Sequence, residues 1–401
     1  MKIVVAGAGI GGLAAALALA RTGQKVDVVE RAPALTEIGA GVQITPNAAK
    51  VLLALGVGER LRAMATGPNL LELKLGRSGR RIFAIPMASV ALERYGAPYL
   101  HSHRADLLDI LRDAAVQAGV QLRLGQALAS YAKEGDQIRV ELVGGGEIRA
   151  DLMVGADGMR SAVRRQMLGD EAPRFTGSTA WRLLAPASAA PDLPRNATVW
   201  VGPGRHAVTY RLRDFTLINF VGVIEEGLPG GAAPRESWDE PGERLDLKQA
   251  FAGWADPVPA IIEAGGACHR WPLFDRDPLP RWVDGRACLL GDACHPMPPF
   301  QAQGAAMAIE DAYVLARCLA EEGADVDAAL KRYQALRMPR TRRMLASARA
   351  NMRLFHLANP LAQFAAYGPM MLANWLAPAL VRSQQDWIYG CDVTEGAAVV
   401  G

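Results

Sequence analysis

The chain has 401 residues, half of them hydrophobic, with 41 glycines and 25 prolines. This length is enough for two or three domains with buried cores, and the composition excludes a collagen-like or intrinsically disordered protein. The formal net charge of +3 at pH 7 is too small for a dedicated nucleic-acid-binding protein, so that class of partner is excluded.

The five cysteines are scattered and contain no CxxC pair, which argues against a disulfide framework and against a zinc site. They are Cys268, Cys288, Cys294, Cys318 and Cys391. An odd number of separated thiols fits a reducing compartment. We therefore predict a cytoplasmic protein with no bound metal.

The first thirty residues predict a strand, a glycine-rich turn, a helix and a second strand. An apolar run at 3–6 leads into Gly7-Ala-Gly9-Ile-Gly11-Gly12, and the next strand ends on Glu30. In such a βαβ unit the glycines let a pyrophosphate approach the helix N-terminus, and the acid binds a ribose hydroxyl. The pattern predicts a bound dinucleotide, although a turn used only for packing is the alternative. By itself it leaves FAD and NAD both open.

The α/β pattern continues to about residue 170 and includes a helix near 104–118 that Ser102 could cap. Residues 175–280 instead alternate short apolar runs with Pro and Gly, which is typical of an antiparallel sheet. A buried strand at 286–290 and helices at 302–319 and 325–353 then resume the α/β pattern. The predicted fold is therefore α/β, Rossmann-like, with an inserted antiparallel sheet and a C-terminal helical region.

Two further acidic turns follow predicted strands. Asp157 lies in Gly155-Ala-Asp157-Gly158, and Asp292 lies in Gly291-Asp292-Ala-Cys-His295-Pro296. Either acid alone could merely cap the next helix. An Asp at such a turn can also accept a hydrogen bond from a ribityl hydroxyl, while the following helix directs its N-terminus at the cofactor.

With the three motifs in this order, the sequence resembles the single-component FAD-dependent aromatic hydroxylases, or group A flavoprotein monooxygenases. The resemblance covers nearly the whole chain. It implies that Gly7, Gly9, Gly12 and Glu30 hold the ADP half of tightly bound FAD. It also implies that Asp157 lies near FAD and a transiently bound nicotinamide cofactor, and that Asp292 holds the ribityl chain.

Four other strings resemble the salicylate hydroxylase branch, which includes hydroxybenzoate and hydroxynicotinate hydroxylases. They lie at 39–47, 103–107, 200–206 and 386–390. The resemblance implies that Arg104 reaches the FAD phosphates, where the alternative is a surface ion pair, and that Gly41 to Pro46 passes beside the flavin ring. The predicted division is FAD-binding segments at 1–70, 101–174 and 281–330, substrate-domain segments at 71–100 and 175–280, and a helical region at 331–401.

The family reaction implied by the resemblance uses NADH or NADPH, FAD and molecular oxygen. A flavin hydroperoxide transfers one oxygen atom to a small phenolic aromatic acid of the salicylate or hydroxybenzoate type. A phenol has a pKa near 10, so a base that removes its proton makes the ring more reactive. His206 is the predicted base, since His206, Val208 and Tyr210 share one face of a strand and relatives carry an active-site histidine in the matching string. Tyr210 is predicted to bond the substrate; a structural role is the alternative for both residues.

The remaining predicted contacts fall into two groups. Those with the cofactor are Arg31, Gly41, Val42, Arg104, Pro299, Gln303 and Gly304. Those in the substrate pocket are Gln43, Trp181, Pro298 and Phe300, with Trp200 and Phe220 also on inserted strands. Arg182 or Arg211 could pair with a substrate carboxylate, and His295 is interpreted as structural. Gln43 replaces a histidine favoured in the hydroxynicotinate branch, which favours a benzenoid acid.

The C-terminal region combines a basic segment with an uncharged one. Residues 331–353 contain eight Lys or Arg and no acid, and 357–380 contain no charge but include Pro360, Pro369 and Pro378. We expect a solvated basic helix followed by proline-broken helices that pack on the FAD domain or on a second subunit, as in a homodimer. The alternatives are a membrane-associated hydroxylase of a quinone precursor, a non-catalytic flavin redox sensor and a plain NAD dehydrogenase.

Overall fold

The computed structural model describes residues 1–35, 41–227, 234 and 240–395. The strands are β1 Lys2–Ala6, β2 Lys25–Glu30, β3 Gly41–Ile44, β4 Leu71–Leu75, β5 Arg81–Ile85, β6 Leu100–His103, β7 Gln121–Leu124, β8 Leu128–Glu134, β9 Gln137–Leu142, β10 Glu147–Ala150, β11 Leu152–Gly155, β12 Arg174–Pro186, β13 Ala197–Gly202, β14 Arg205–Leu212, β15 Leu217–Glu225, β16 Glu240–Pro241, β17 His269–Asp275, β18 Val283–Asp284 and β19 Ala287–Leu289. The helices are α1 Ile10–Arg21, α2 Pro46–Ala54, α3 Gly58–Met64, α4 Met87–Tyr95, α5 Arg104–Gln117, α6 Ala162–Leu168, α7 Arg244–Ala250, α8 Val258–Ala264, α9 Gly304–Glu322, α10 Val326–Phe355, α11 Pro360–Leu376, α12 Pro378–Ser383 and α13 Asp386–Tyr389.

The first domain is built on a sheet of order β18-β19-β11-β1-β2-β7, in which every pair except β18–β19 is parallel. Its central strand β1 is buried from Ile3 to Ala6, in a core that includes residues of α1, α5 and α9 and of the antiparallel sheet β10-β9-β8. Burial on all sides explains why α1 consists almost entirely of Ala, Leu and Gly. The predicted Rossmann-like α/β fold is confirmed.

The second sheet has the order β16-β17-β12-β15-β14-β13-β4-β5. Its pairs are antiparallel apart from β13 and β4, which run parallel. Side chains alternate along each strand, so the sheet has two distinct faces. One face packs on α7 and α8 through a cluster that includes Trp181, Phe220, Phe251 and Ile261. The other face is turned toward the first domain.

Two connections join the domains at the site. Strand β3 pairs with β6 and carries Gly41 beside Tyr210 of the second sheet. The 30-residue helix α10 begins on the first domain and ends with Phe355 against His206. At the start of α5 the predicted cap is wrong: His103, not Ser102, accepts from the Ala105 N–H.

The C-terminal helices α11 and α12 pack on β5. Pro360 and Pro378 begin these helices, where a missing N–H costs nothing, whereas α11 continues through Pro369. The expectation that all three prolines break this segment is therefore wrong at Pro369. Within the described ranges, no helix is both long and apolar enough to cross a membrane.

Candidate active site

A cavity of about 1160 Å³ lies between the parallel sheet and the second sheet. It begins at Gly9 and Glu30, passes Arg104, Asp157 and Asp292, and reaches His206 and Tyr210. This volume exceeds the roughly 300–1,000 Å³ of a pocket for one drug-sized ligand. The cavity therefore has room for a long cofactor together with a small aromatic molecule.

The glycine-rich turn forms one end of the cavity. Gly7 has φ +101°, and a Cβ there would lie 2.4 Å from the Ala156 carbonyl oxygen. A Cβ on Gly12 would lie 2.0 Å from the Gly7 oxygen, whereas Gly9 faces open space. Gly7 and Gly12 thus shape the turn, while Gly9 and the N-terminus of α1 line the cavity. The free N–H groups of that helix end suit a pyrophosphate.

Glu30 ends β2 and lines the same end of the cavity beside Arg31. Its carboxylate accepts hydrogen bonds from the Ala8 N–H at 2.8 Å and the Ala32 N–H at 2.9 Å. These bonds hold the side chain at the edge of the turn. A carboxylate oxygen can accept more than one bond, so this placement still suits a ribose hydroxyl.

The two predicted aspartates stand midway along the cavity. Asp157 caps α6 through Oδ2, which accepts from the Ala162 N–H at 2.7 Å. Its Oδ1 is buried without a hydrogen-bond partner among the described residues, and burial raises the pKa of the carboxyl. Burial also raises the pKa of Asp292, against the opposing charges of His295 and Arg104. A hydroxyl-rich ligand would supply donors to these carboxyl groups.

The next wall of the cavity combines the loop 296–299 with the start of α9. Pro298, Pro299, Ala302 and Gly304 line it, and α9 begins at Gly304 without a side-chain cap. The N-terminus of this 19-residue helix directs its partial positive charge at the cavity. The wall is therefore apolar and rigid at the prolines and electropositive at the helix end.

Strand β3 forms the opposite wall. The Gly41 N–H donates to Asn219 Oδ1 at 2.8 Å, and a Cβ on Gly41 would lie 2.4 Å from the Tyr210 hydroxyl oxygen. Gln43 Oε1 accepts a hydrogen bond from the Tyr99 hydroxyl at 2.5 Å. The side-chain NH₂ of Gln43 is then the group that can donate to a ligand. Gly41, Val42 and Gln43 all line the cavity.

The far end of the cavity is the second sheet's inner face. His206, Val208 and Tyr210 line it together, as the two-residue period predicts. Neighbouring strands add Arg182 and Trp271, whose guanidinium and ring lie 5.3 Å apart. Tyr210 packs on His101 at a ring distance of 4.3 Å. Burial lowers the pKa of His101 to about 3 and raises that of Tyr210. An aromatic acid fits this mixture of apolar walls, ring groups and one cation.

A family description, "FAD binding domain", matches residues 1–348. The chain belongs to this FAD-binding family. It is 38% identical over 398 residues to 3-hydroxybenzoate 6-hydroxylase 1 of Aquipseudomonas alcaligenes, covering 98% of each chain. A crystal structure of Klebsiella pneumoniae HpxO with FAD and uric acid superposes with a TM-score of 0.85, at 31% identity and 97% of each chain. A salicylate hydroxylase substrate complex gives 0.81 at 25% identity, over 98% of this chain and 96% of that one.

The prediction of an FAD-dependent aromatic hydroxylase is confirmed. The residues present fit FAD. The cavity contains a helix N-terminus free of side-chain caps, a turn in which Gly7 and Gly12 leave no room for a Cβ, and a buried Asp157 oxygen that has no hydrogen-bond partner in the described part of the chain. The α1 N-terminus and Gly9 would hold the pyrophosphate. Glu30 would hold a ribose, and Asp292 the ribityl chain.

Several predicted pocket residues of the hydroxylase lie elsewhere. Trp181, Trp200 and Phe220 belong to the cluster under α7 and α8, because each points to the face of the sheet opposite the cavity. Arg211 donates to the backbone carbonyls of Leu193 and Ala190, away from the cavity. The two-residue alternation along these strands could not show which face of the second sheet would lie against the first domain.

Two other predicted residues lie behind the cavity wall. Phe300 packs against His206 with ring centroids 5.1 Å apart. Gln303 donates to the Thr45 hydroxyl at 3.1 Å and accepts from Asn47 at 3.1 Å. Both side chains therefore support the cavity wall from behind and do not reach the cavity surface.

A buried ionic network that the sequence motifs did not predict lies beneath the hydroxylase site. Arg337 pairs with Glu310 and Asp311 at 2.6 Å each. Asp311 also bonds His295 at 2.5 Å, and Glu310 accepts from Asn47 at 2.6 Å. The basic helix is thus not simply solvated, because part of its charge is buried against α9. The sequence features that could have indicated this network are the adjacent acids at 310 and 311 and the eight bases at 331–353.

Proposed function

We propose that this protein is a cytoplasmic enzyme that hydroxylates a small phenolic aromatic acid, of the hydroxybenzoate or salicylate type, with NADH or NADPH and dioxygen. The observation that supports this best is the single cavity that joins the FAD end to the face carrying His206, Tyr210 and Arg182. Bound FAD supplies the oxidative chemistry by accepting a hydride and delivering one atom of dioxygen to the ring.

The protein's own groups orient and deprotonate the ring in this proposal. Arg182 binds the carboxylate, Tyr210 bonds a ring substituent, and His206 accepts the phenol proton, which makes the ring carbon more nucleophilic. Pro298 and Pro299 form a rigid apolar wall of the cavity, which would keep water from the reacting ring. Five free thiols, four of them buried, support a reducing cytoplasmic setting.

The test is oxidation of NADH and of NADPH by the purified protein with 3-hydroxybenzoate, 4-hydroxybenzoate, salicylate or 6-hydroxynicotinate, with products identified by mass spectrometry. We expect one benzenoid acid to accelerate oxidation and to gain one oxygen atom. Bound FAD without acceleration by any of these acids would overturn the proposal and favour a non-catalytic redox sensor. The products would also show whether the carboxyl group is lost.

Arg182 gives the matched comparison. Arg182→Met should raise KM for the acid roughly 10- to 100-fold, since a charge-assisted hydrogen bond contributes about 1.5–3 kcal/mol. Arg270→Met is the control, because Arg270 lies over Trp181 at 5.1 Å in the same kind of stack on the opposite face. Equal KM values for the two variants would show that Arg182 does not bind the substrate carboxylate.

The exposed side chains of α11 and α12 bear on the homodimer and on the quinone-precursor alternative. They are Leu361, Phe364, Leu372, Trp375, Leu376 and Leu380. We propose that a second copy covers this surface. Arg332, Arg337, Arg340 and Arg349, four of the eight bases at 331–353, pair with acids of the chain, which reduces the positive charge that anionic lipid could bind. Sedimentation without detergent should show a dimer. A monomer that floats with anionic liposomes would favour the membrane-associated hydroxylase.

A further inference from the structure

Three side chains form a continuous path from the cavity to the protein surface. His206 Nδ1 lies 2.8 Å from His356 Nε2, and His356 Nδ1 lies 2.7 Å from Glu225 Oε1. Both histidines are buried, whereas the Glu225 side chain is half exposed at 50%. His206 itself lines the cavity. The path therefore has one end at the substrate position and the other in solvent.

The carboxylate at the outer end fixes the proton positions along the whole path. A carboxylate only accepts, so His356 must donate from Nδ1 and is left with a lone pair on Nε2. His206 must then donate from Nδ1 to that lone pair, which leaves Nε2 of His206 unprotonated. Because Nδ1 is engaged with His356, Nε2 is the nitrogen with which a ligand can interact. Neutral rings in these tautomers satisfy both hydrogen bonds.

We propose that His356 and Glu225 form a proton relay with His206, which presents a basic Nε2 to the phenol and carries the phenol's proton to the surface. The inference rests on the proposed function. The phenol O–H bond breaks as an N–H bond forms at His206 Nε2. The proton on His206 Nδ1 passes to His356 Nε2, and the proton on His356 Nδ1 passes to Glu225. One proton moves outward, no electron is exchanged, and the reverse sequence restores the tautomers when the product oxygen is reprotonated.

The surroundings of His206 explain why a relay is needed. Its ring is packed against Phe300 and Phe355, at centroid distances of 5.1 and 5.4 Å. Burial, with a smaller contribution from His356, lowers the pKa of His206 well below its usual value. A proton kept there would create a buried charge beside two phenyl rings. Passing it on places the charge change at Glu225, which water can reach.

The charged groups facing His356 come from two strands. Burial lowers the pKa of His356 and outweighs the raising effect of Glu225 on β15, and the positive charge of Arg205 on β14 lowers it further. Phe300 contributes only a ring contact. The neighbouring Glu226 points elsewhere, because it accepts from Thr179 and Arg270. Of these two neighbouring acids, Glu225 is thus the one that bonds His356 and can take part in the relay.

The experiment compares Glu225→Gln, Glu225→Asp and His356→Phe with the control Glu226→Gln in the FAD-loaded enzyme. The probe is 3-hydroxy-4-nitrobenzoate, whose bound phenol and phenolate forms differ in absorbance. We expect E225Q and H356F to bind a smaller fraction of this probe as phenolate. With the acid that the wild-type enzyme hydroxylates, both variants should lower kcat about 10-fold or more, toward the scale of a lost general base. KM should change little, E225D should recover most of kcat, and E226Q should match the wild-type enzyme.

A second readout follows tautomers without turnover. The chain has six histidines, so ¹⁵N-histidine labelling can resolve the ring of His206. We expect a protonated Nδ1 in the wild-type protein and a changed ring signal in E225Q. Wild-type kcat, phenolate fraction and ring signal in both E225Q and H356F would overturn the relay while leaving the proposed function intact. Wild-type enzyme that hydroxylates none of the acids would overturn both.

Discussion

Replacement of Arg337 by Met tests how much the buried ionic network stabilises the hydroxylase. The guanidinium is almost wholly inaccessible and donates to Asp311 Oδ1 and Glu310 Oε2, each at 2.6 Å. Removing one partner of a buried ion pair costs roughly 3–5 kcal/mol, because the remaining charge is left uncompensated. We expect the lower end, about 3 kcal/mol, because each carboxylate keeps a second partner.

Those second partners are visible in the hydrogen bonds. Glu310 still accepts from Arg340 at 2.7 Å, and Asp311 still bonds His295 at 2.5 Å. The assay is urea unfolding followed by far-UV circular dichroism with FAD in excess. The control is Arg332→Met on the same helix, since Arg332 pairs with Glu321 and Glu322 at the surface and should change stability little. An R337M protein that unfolds at the wild-type urea concentration would refute the reasoning.

Two other predictions follow from the same network and from β3. Burial alone would raise the pKa values of Glu310 and Asp311, but Arg337 and their other partners lower both below the ordinary 4.5 and 3.8. The stability they contribute is therefore present above those ordinary values and is lost as pH falls through the lowered ones. Acid titration of the unfolding free energy should show this loss, and the loss should be smaller in R337M, because its folded-state pKa values lie closer to the ordinary ones. Gly41→Ala places a Cβ 2.4 Å from the Tyr210 hydroxyl oxygen, so it should weaken aromatic-acid binding by about 1–3 kcal/mol in a flavin-absorbance titration. A G41A protein with wild-type affinity for the acid would contradict this contact.

Local sequence signals were sufficient for the first domain. Glycine is required at positions 7 and 12, where β1 turns sharply into α1, because a Cβ at either position would clash with the backbone. The apolar strand before them and Glu30 after them complete a unit whose contacts are short in sequence. Asp292 likewise follows a short buried strand, and it lines the cavity.

Strand periodicity predicted the second sheet only in part. It grouped His206, Val208 and Tyr210 correctly on one face, because side chains alternate along a strand. It could not choose the cavity face for Trp181, which lies under α7 and α8, whereas the adjacent Arg182 lines the cavity. That choice depends on which layer packs on which side. The domain boundaries and the roles of the site residues stay predictions.

By itself, the sequence determined the α/β fold and one strand face of the site, because each is encoded by residues close together in the chain. The cofactor class needed three motifs in order along the chain, together with the family that they resemble. Tertiary structure alone decided the partners of the buried groups. His206 meets His356 across 150 positions, and Arg337 meets Glu310 across 27. Contacts of this kind arise when helices and sheets pack, and a charge or ring nitrogen then finds its partner by proximity in space, which spacing along the chain does not encode.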